Sequence, residues 1–401
     1  MHSLLFRKRV FDVIICLAMG AAVVSLVIFP SQSVGAAKDG LSLCANVIIP
    51  SLFPFFVLSN MIVDLGMTRY FGKVLEPVMR PLFNVNGECA TAFVLGFVGG
   101  YPVGAKTVIA LYENGTCTKA EAERLLSFCN NSGPAFILGV VGAGIFGSSK
   151  IGLLLYLAHT IASILIGILF RRWGKSSKGS SRNRISTAPK SFTAAFSGSI
   201  KSAFHSTLSI CGFIVFFTVF IKLLFISGII PAVANAIGTV FAPLGLNPEW
   251  AERLLTGLIE ISSGVWTLKD AAGELTASIA MAAFMLGWAG LSIHSQVLSF
   301  IGGSGLSVRT YIYGKLLHGV LSAGIIFLLA HIFVFEAPAA AYLAEQVTKI
   351  ASLDFISALT ISLISCVCVI IIMLFCLSVW KRSRTVSLQK NNYGKKSDTD
   401  I

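Results

Sequence analysis

The stretch "GFVGGYPVGAK", residues 96–106, stands where a membrane-spanning helix is expected, yet it carries four glycines, a proline and a lysine. Lipid offers no water to a freed backbone group. Irregular backbone at that depth persists only where it is packed in protein or lines a wet cavity. Glycines let the chain leave helical geometry, while Pro102 removes a donor and biases Tyr101 away from the α region. We read Gly99–Gly104 as an unwound segment. Its freed helix ends offer N–H dipoles to an anion or carbonyls to a cation.

The surrounding composition agrees. Of 401 residues, 55% are hydrophobic and 12% charged, and mean hydropathy is +0.82. A soluble surface needs far more charge, and several apolar runs reach the roughly 20 residues that cross a bilayer. The net charge of +13 concentrates at Arg7-Lys8-Arg9, in "RRWGKSSKGSSRNR" (171–184) and in the tail after Trp380. Short basic segments beside apolar spans record the positive-inside rule rather than nucleic-acid binding. Both termini and the middle loop are therefore expected in the cytoplasm. The apolar run Val10–Phe29 exceeds a signal peptide's usual core, which favours an uncleaved anchor. The cysteines are scattered through apolar segments without a CxxC pair or a partnered histidine cluster. Neither a disulfide framework, a metal site nor a cofactor is expected.

The chain also repeats. A shift of 162 pairs Gly66 with Gly228 and Pro81 with Pro243; a shift of 161 pairs Glu88 with Glu249 and Gly96 with Gly257; a shift of 159 pairs His159 with His318. The expected organisation is an anchor span (1–41), repeat 1 (42–172), a basic cytoplasmic linker (173–203), repeat 2 (204–335), an outer loop with the last span (336–380) and a basic tail (381–401). Repeat 1 crosses three times, at about 42–66, 89–112 and 151–171. Repeat 2 then starts on the opposite side, so the repeats are inverted. Charges support this: connector 67–88 holds Arg69, Lys73 and Arg80, whereas its counterpart 229–248 has no charged residue. The fold expected is an all-α polytopic membrane protein of about eight transmembrane helices, an architecture typical of secondary transporters. Each repeat also carries a re-entrant hairpin and a broken helix. The hairpins are expected at 118–147 and 272–301, with tips near Asn130–Pro134 and Ala289–Ser292.

Candidate solute-binding residues follow from these breaks. In repeat 1 they are Gly99, Gly100, Tyr101, Pro102, Gly104 and Lys106, with Asn130, Asn131, Ser132 and Gly133. In repeat 2 they are Glu260, Ser262 and Ser263, with Ser292, His294 and Gln296. Each has a plainer reading beside it. Lys106 lies near a helix end and can snorkel to the interface; Asn130, Asn131 and Ser132 can cap helices; His294 and Gln296 can be packing residues. Glu260 is an intramembrane carboxylate, and such groups are functional by default. For His159 and His318 a structural interhelical hydrogen bond is the preferred reading over a proton relay.

The motifs "GGYPVGAK" (99–106), "KAEAERLLSFCNNSGP" (119–134) and "GLSIHSQVLS" (290–299) resemble those of the YlbJ (SpoVV) sporulation integral membrane proteins, which carry nucleoside-recognition "Gate" regions. The resemblance covers about residues 10–335. It implies a protein of the outer forespore membrane in the sporulating mother cell, with a role in passing dipicolinate to the forespore. That solute is a small planar dianion, which asks for a lysine or helix N-termini and an apolar slot. Lys106, Tyr101 and the Asn130–Gly133 turn supply such groups, whereas Glu260 repels a dianion unless protonated or paired, or binds a coupling ion. The competing readings are a transporter of another solute such as a nucleoside, a non-transporting structural protein, and an intramembrane enzyme. No GxSxG, HExxH, kinase-type or Walker A motif is present, so no enzymatic role is expected.

Overall fold

The computed structural model describes residues 2–174, 191–245, 247–269 and 275–332, with isolated positions at 360, 363, 364, 367 and 371. Every regular element among them is helical.

Each half opens with a long helical run. Helix α1 (His2–Ile28) bends by 99° into α2 (Pro30–Leu43). Pro30 sits in the first turn, where its missing N–H leaves no intrahelical bond unmade. A wide turn at Cys44–Ile48 leads on into α3 (Ile49–Asp64). The run therefore starts ahead of residue 42. Further along the chain, α9 (Phe192–Ile226) is the corresponding run of the second half. Gly66 (φ 69°) and Gly228 (φ 75°) follow these runs in the left-handed conformation that stops a helix. The runs lie antiparallel. Gly40 touches Val215, Cys44 bonds the Cys211 carbonyl, and Lys106, lying over Phe56, reaches Ser202.

A short amphipathic helix comes next. In α4 (Thr68–Phe83), Leu75, Val78, Met79 and Leu82 recur at i, i+3, i+4 and i+7 and are buried. Exposed Arg80 pairs with Glu76 at 2.6 Å. Its counterpart α10 (Ile229–Phe241) buries Ile230, Ala234 and Gly238.

Then the chain folds back on itself. Helices α5 (Ala90–Gly99) and α6 (Val103–Glu113) approach so closely that a Cβ on Gly104 would stand 3.0 Å from the Gly96 Cα. In the second half α11 (Pro248–Ile259) and α12 (Ile261–Trp266) close through Gly257 and Gly264, with 2.2 Å for the same construction. Small residues at these crossings let the backbones approach, since lipid gives no hydrophobic drive between helices.

The segment after each hairpin is a broken through-helix. Thr118 caps α7 (Lys119–Phe128) in a reciprocal box with Glu121. Residues 129–133 are non-helical, and a wide helix, Ala135–Ile145, follows. This assembly runs antiparallel to α8 (Ser149–Leu169). Arg124 bonds the Trp173 carbonyl, Ser163 bonds that of Phe128, and Gly142 abuts Gly152. Likewise α13 (Leu275–Trp288) and α14 (Gly290–Ile301) run antiparallel to α15 (Val308–Ile332), with Gly287 against Gly319 and His294 bonded to Tyr311.

The expected inventory is therefore present with its parts exchanged. Residues 89–112, read as a crossing, form the hairpin; within 118–147 and 272–301, read as hairpins, residues 119–145 and 275–301 are the broken through-helices. Both designs are a break flanked by short helical arms. Which one forms depends on whether the arms pack on each other, and the glycine pairs decide that. Among the described residues, Ser149–Arg172, Phe192–Ile226, Leu275–Ile301 and Val308–Ala330 are long and apolar enough to cross a membrane. Two bent pairs raise the number to six. The expected last span, 353–380, lies outside the described residues apart from isolated positions.

Candidate functional site

Each hairpin tip meets the break in the through-helix of its own half. In the first half, Gly100 (φ 74°) abuts Gly133, and a Cβ on Gly100 would fall 2.8 Å from the Gly133 nitrogen. Gly96 and Gly104 both face the Cys129 carbonyl oxygen, 1.9 Å from where their Cβ atoms would stand. In the second half Ala289 and Gly290 both have positive φ, and Gly290 lies against Ile259, Glu260 and Ile261. Close backbone approach gives Gly100, Gly104 and Gly133 a packing role, whereas a Cβ on Gly99 would meet only the Val103 side chain, at 3.0 Å.

The first junction holds a charge that the sequence reading passed over. Lys315 of α15 is fully buried. Its ammonium donates to the Tyr101 hydroxyl at 2.7 Å, the Asn130 carbonyl at 3.0 Å and His318 Nδ1 at 3.1 Å, and it lies 4.8 Å from the centroid of the Tyr101 ring. Tyr101, whose peptide to Pro102 is cis, donates its own hydroxyl hydrogen bond to the Leu286 carbonyl at 2.8 Å. Among the described residues no carboxylate pairs with Lys315. A buried cation with neutral partners alone is costly, and in a membrane protein such a group is by default a candidate for a functional site. The signal was available: a lysine inside an apolar span with a histidine three residues on.

The hydrogen bonds also assign the histidine tautomers. Since His318 Nδ1 accepts from Lys315, its proton is on Nε2, which donates to the His159 carbonyl at 2.9 Å. Since His159 Nε2 accepts from the Ser132 N–H at 3.1 Å, its proton is on Nδ1. The two rings pack with centroids 4.3 Å apart where α8 and α15 cross. This is the interhelical hydrogen bond expected of the pair.

The other candidates divide among three places. Asn130 belongs to the Lys315 junction: its Oδ1 accepts from the Ala105 N–H at 3.4 Å, and Tyr311 lies beside it. Asn131 caps locally, donating to the Phe128 carbonyl. Both amides keep one buried atom without a partner, Nδ2 of Asn130 and Oδ1 of Asn131. His294 joins this side through Tyr311 and packs edge-on against Trp288. Glu260 sits at the second hairpin tip, its carboxylate accepting the N–H groups of Ser262 at 3.0 Å and Ser263 at 2.6 Å. Lys106 turns to the scaffold instead. It bonds Ser206 Oγ at 2.6 Å and Ser202 Oγ at 3.2 Å on α9 and lies over the Phe56 ring. Ser292 and Gln296 are buried on α14, with the hydroxyl and both amide atoms unpartnered.

Antiparallel helix runs, paired hairpins and paired broken helices around a buried polar junction define a polytopic membrane protein. A family model described as nucleoside recognition, Gate, matches residues 45–150 and 207–307, just over half of the chain. Over 318 residues the chain is 30% identical to the sporulation integral membrane protein YlbJ of Bacillus subtilis, covering 75% of this chain and 78% of that protein. It is also 28% identical over 178 residues to an uncharacterized protein of Alkalihalophilus pseudofirmus, covering 42% of this chain and 38% of the other. The chain belongs to the YlbJ family of sporulation integral membrane proteins, with two Gate segments. No solved structure matches it.

Proposed function

We propose that the protein is a secondary or facilitated transporter of a small anion, dipicolinate, moved into the forespore during sporulation. The observation that carries this is Lys315: a fully buried ammonium at a tip-to-break junction, with no carboxylate partner among the described residues. A dianion arriving there gains a charge-assisted bond that no neutral partner supplies. Tyr101 packs against the apolar cluster that holds Ile137, Met285 and Leu286, the kind of surface a planar ring needs.

The two halves are proposed as inverted repeats working by alternating access. The antiparallel α2–α3 and α9 runs support this, as does the contact between His159 and His318, which correspond under the shift of 159. With the hairpins reassigned, each half still crosses three times, so the charge pattern of the loops keeps its sense. On this reading both termini are cytoplasmic and the protein sits in the outer forespore membrane. Neither enzymatic chemistry nor a cofactor is part of the proposal.

A second reading, nucleoside transport, is favoured by one observation. The Gln296 amide has a free donor and a free acceptor, the pair that reads a nucleobase edge. Uptake of labelled dipicolinate and labelled nucleosides into proteoliposomes separates the two. Dipicolinate uptake, absent in Lys315→Gln, supports the proposal; nucleoside uptake alone overturns it.

A further inference from the structure

Helix α14 has two unlike faces. Gly290, His294, Val297 and Ile301 fall at i, i+4, i+7 and i+11 on one side, toward Tyr311 of α15 and the core around it. Ser292, Ser295, Gln296 and Ser299 fall at i, i+3, i+4 and i+7 on the opposite side. Leu291 and Leu298, between the faces, are exposed as lipid-facing residues would be.

The polar face is graded in depth. Ser299 is exposed, Ser295 half-buried, and Ser292 and Gln296 are each 1% exposed. At the buried end the Ser292 hydroxyl and both Gln296 amide atoms have no partner. Unpaired groups of this kind are costly when they are left dry. The helices α14 packs on away from α15 include α6 and α9. Helix α9 carries its own polar row: Ser199, buried with an unpartnered hydroxyl, and Ser202 and Ser206, which bind Lys106 of α6.

We infer that the Ser292–Ser299 face of α14 lines a hydrated solute pathway between α14, α6 and α9, with Ser292 and Gln296 as its buried contacts. The pathway takes a small polar solute with its hydration water, since Gln296 presents a donor and an acceptor side by side. The inference rests on the transporter reading above, and deepens it by naming the route.

The test is thiol accessibility in membrane vesicles. Single cysteines are placed at Ser299, Ser295 and Ser292, and at Leu291 and Leu298 as lipid-facing controls, and treated with a membrane-impermeant thiol reagent against the labelling of the parent chain. We expect the serine positions to react at least about tenfold faster than the leucine positions, because only a hydrated thiol ionises and reacts readily. Equal reaction at both sets overturns the inference. Gln296→Leu supplies the second arm. Thermal stability is expected to hold or rise as two orphaned polar atoms leave, while solute uptake falls at least about tenfold. Unchanged uptake overturns the role of Gln296. Selective labelling without dipicolinate uptake sustains the pathway and removes dipicolinate as its solute. Dipicolinate uptake without selective labelling removes the pathway alone.

Discussion

The two hairpin tips occupy matching places and carry opposite chemistry. At the first, Gly100 stands against Gly133, and the other half sends Lys315 to the adjoining Tyr101. At the second, Glu260 stands where the first has Gly100, its carboxylate folded onto the N–H groups of Ser262 and Ser263. In α8 the position matching Lys315 under the shift of 159 is Tyr156. One scaffold drawn twice thus has a positive pole at one junction and a negative pole at the other. On the proposed function the glycine geometry belongs to the scaffold, and the charges belong to the solute.

That division is open to attack from both sides. The largest effect is expected from Gly104→Ala and Gly264→Ala. The first pushes a Cβ to 1.9 Å from the Cys129 carbonyl and the second to 2.2 Å from the Gly257 Cα. Backbone cannot yield cheaply, so each is expected to cost about 3 kcal/mol or more, seen as lost thermal stability in detergent. Gly139→Ala, with nothing within 4 Å, is the neutral control. If all three melt alike, the hairpins are not closed by their glycines.

Tyr101→Phe removes the hydroxyl that joins Lys315 to the Leu286 carbonyl. A loss of about 1–2 kcal/mol, or about five- to thirtyfold in solute affinity, is expected. Lys106→Gln acts on the scaffold, loosening α6 from α9. About 1 kcal/mol of stability is expected to go, while equilibrium affinity per folded molecule changes by less than at Tyr101; a larger affinity loss than Tyr101→Phe would move the anion site to Lys106. The smallest effect belongs to Glu260→Gln. One oxygen still accepts from the Ser262–Ser263 turn, so about 0.5–1 kcal/mol of stability is expected to be lost. Uptake that loses its ion dependence in this variant would make Glu260 a coupling site.

Much of this architecture was legible before any coordinates. Hydropathy and charge marked a polytopic helical protein, and the glycine–proline clusters marked the breaks. What stayed hidden was the direction of the chain after each break. Residues 90–113 and 119–145 both read as two short arms around a polar or glycine-rich gap, and composition does not say whether the arms turn back or run on. The spacing did hold a clue: Gly96 and Gly104, like Gly257 and Gly264, stand either side of their tip at distances that let the arms touch. Lys315 was missed for a different reason. Lys315 lies in an unbroken helix, away from the breaks that mark the other candidates, although the rule that singles out Glu260 applies equally to a lysine in an apolar span.

The central claim is that an anion is held at Lys315, between the first hairpin tip and the broken helix beside it. Equilibrium binding of dipicolinate to purified protein, scored per folded molecule, tests it most directly. Loss of a charge-assisted bond in a largely dry site is worth about 1.5–3 kcal/mol, so Lys315→Gln is expected to bind roughly tenfold to over a hundredfold more weakly than the parent chain. Equal affinity in the parent chain and in folded Lys315→Gln would contradict the account.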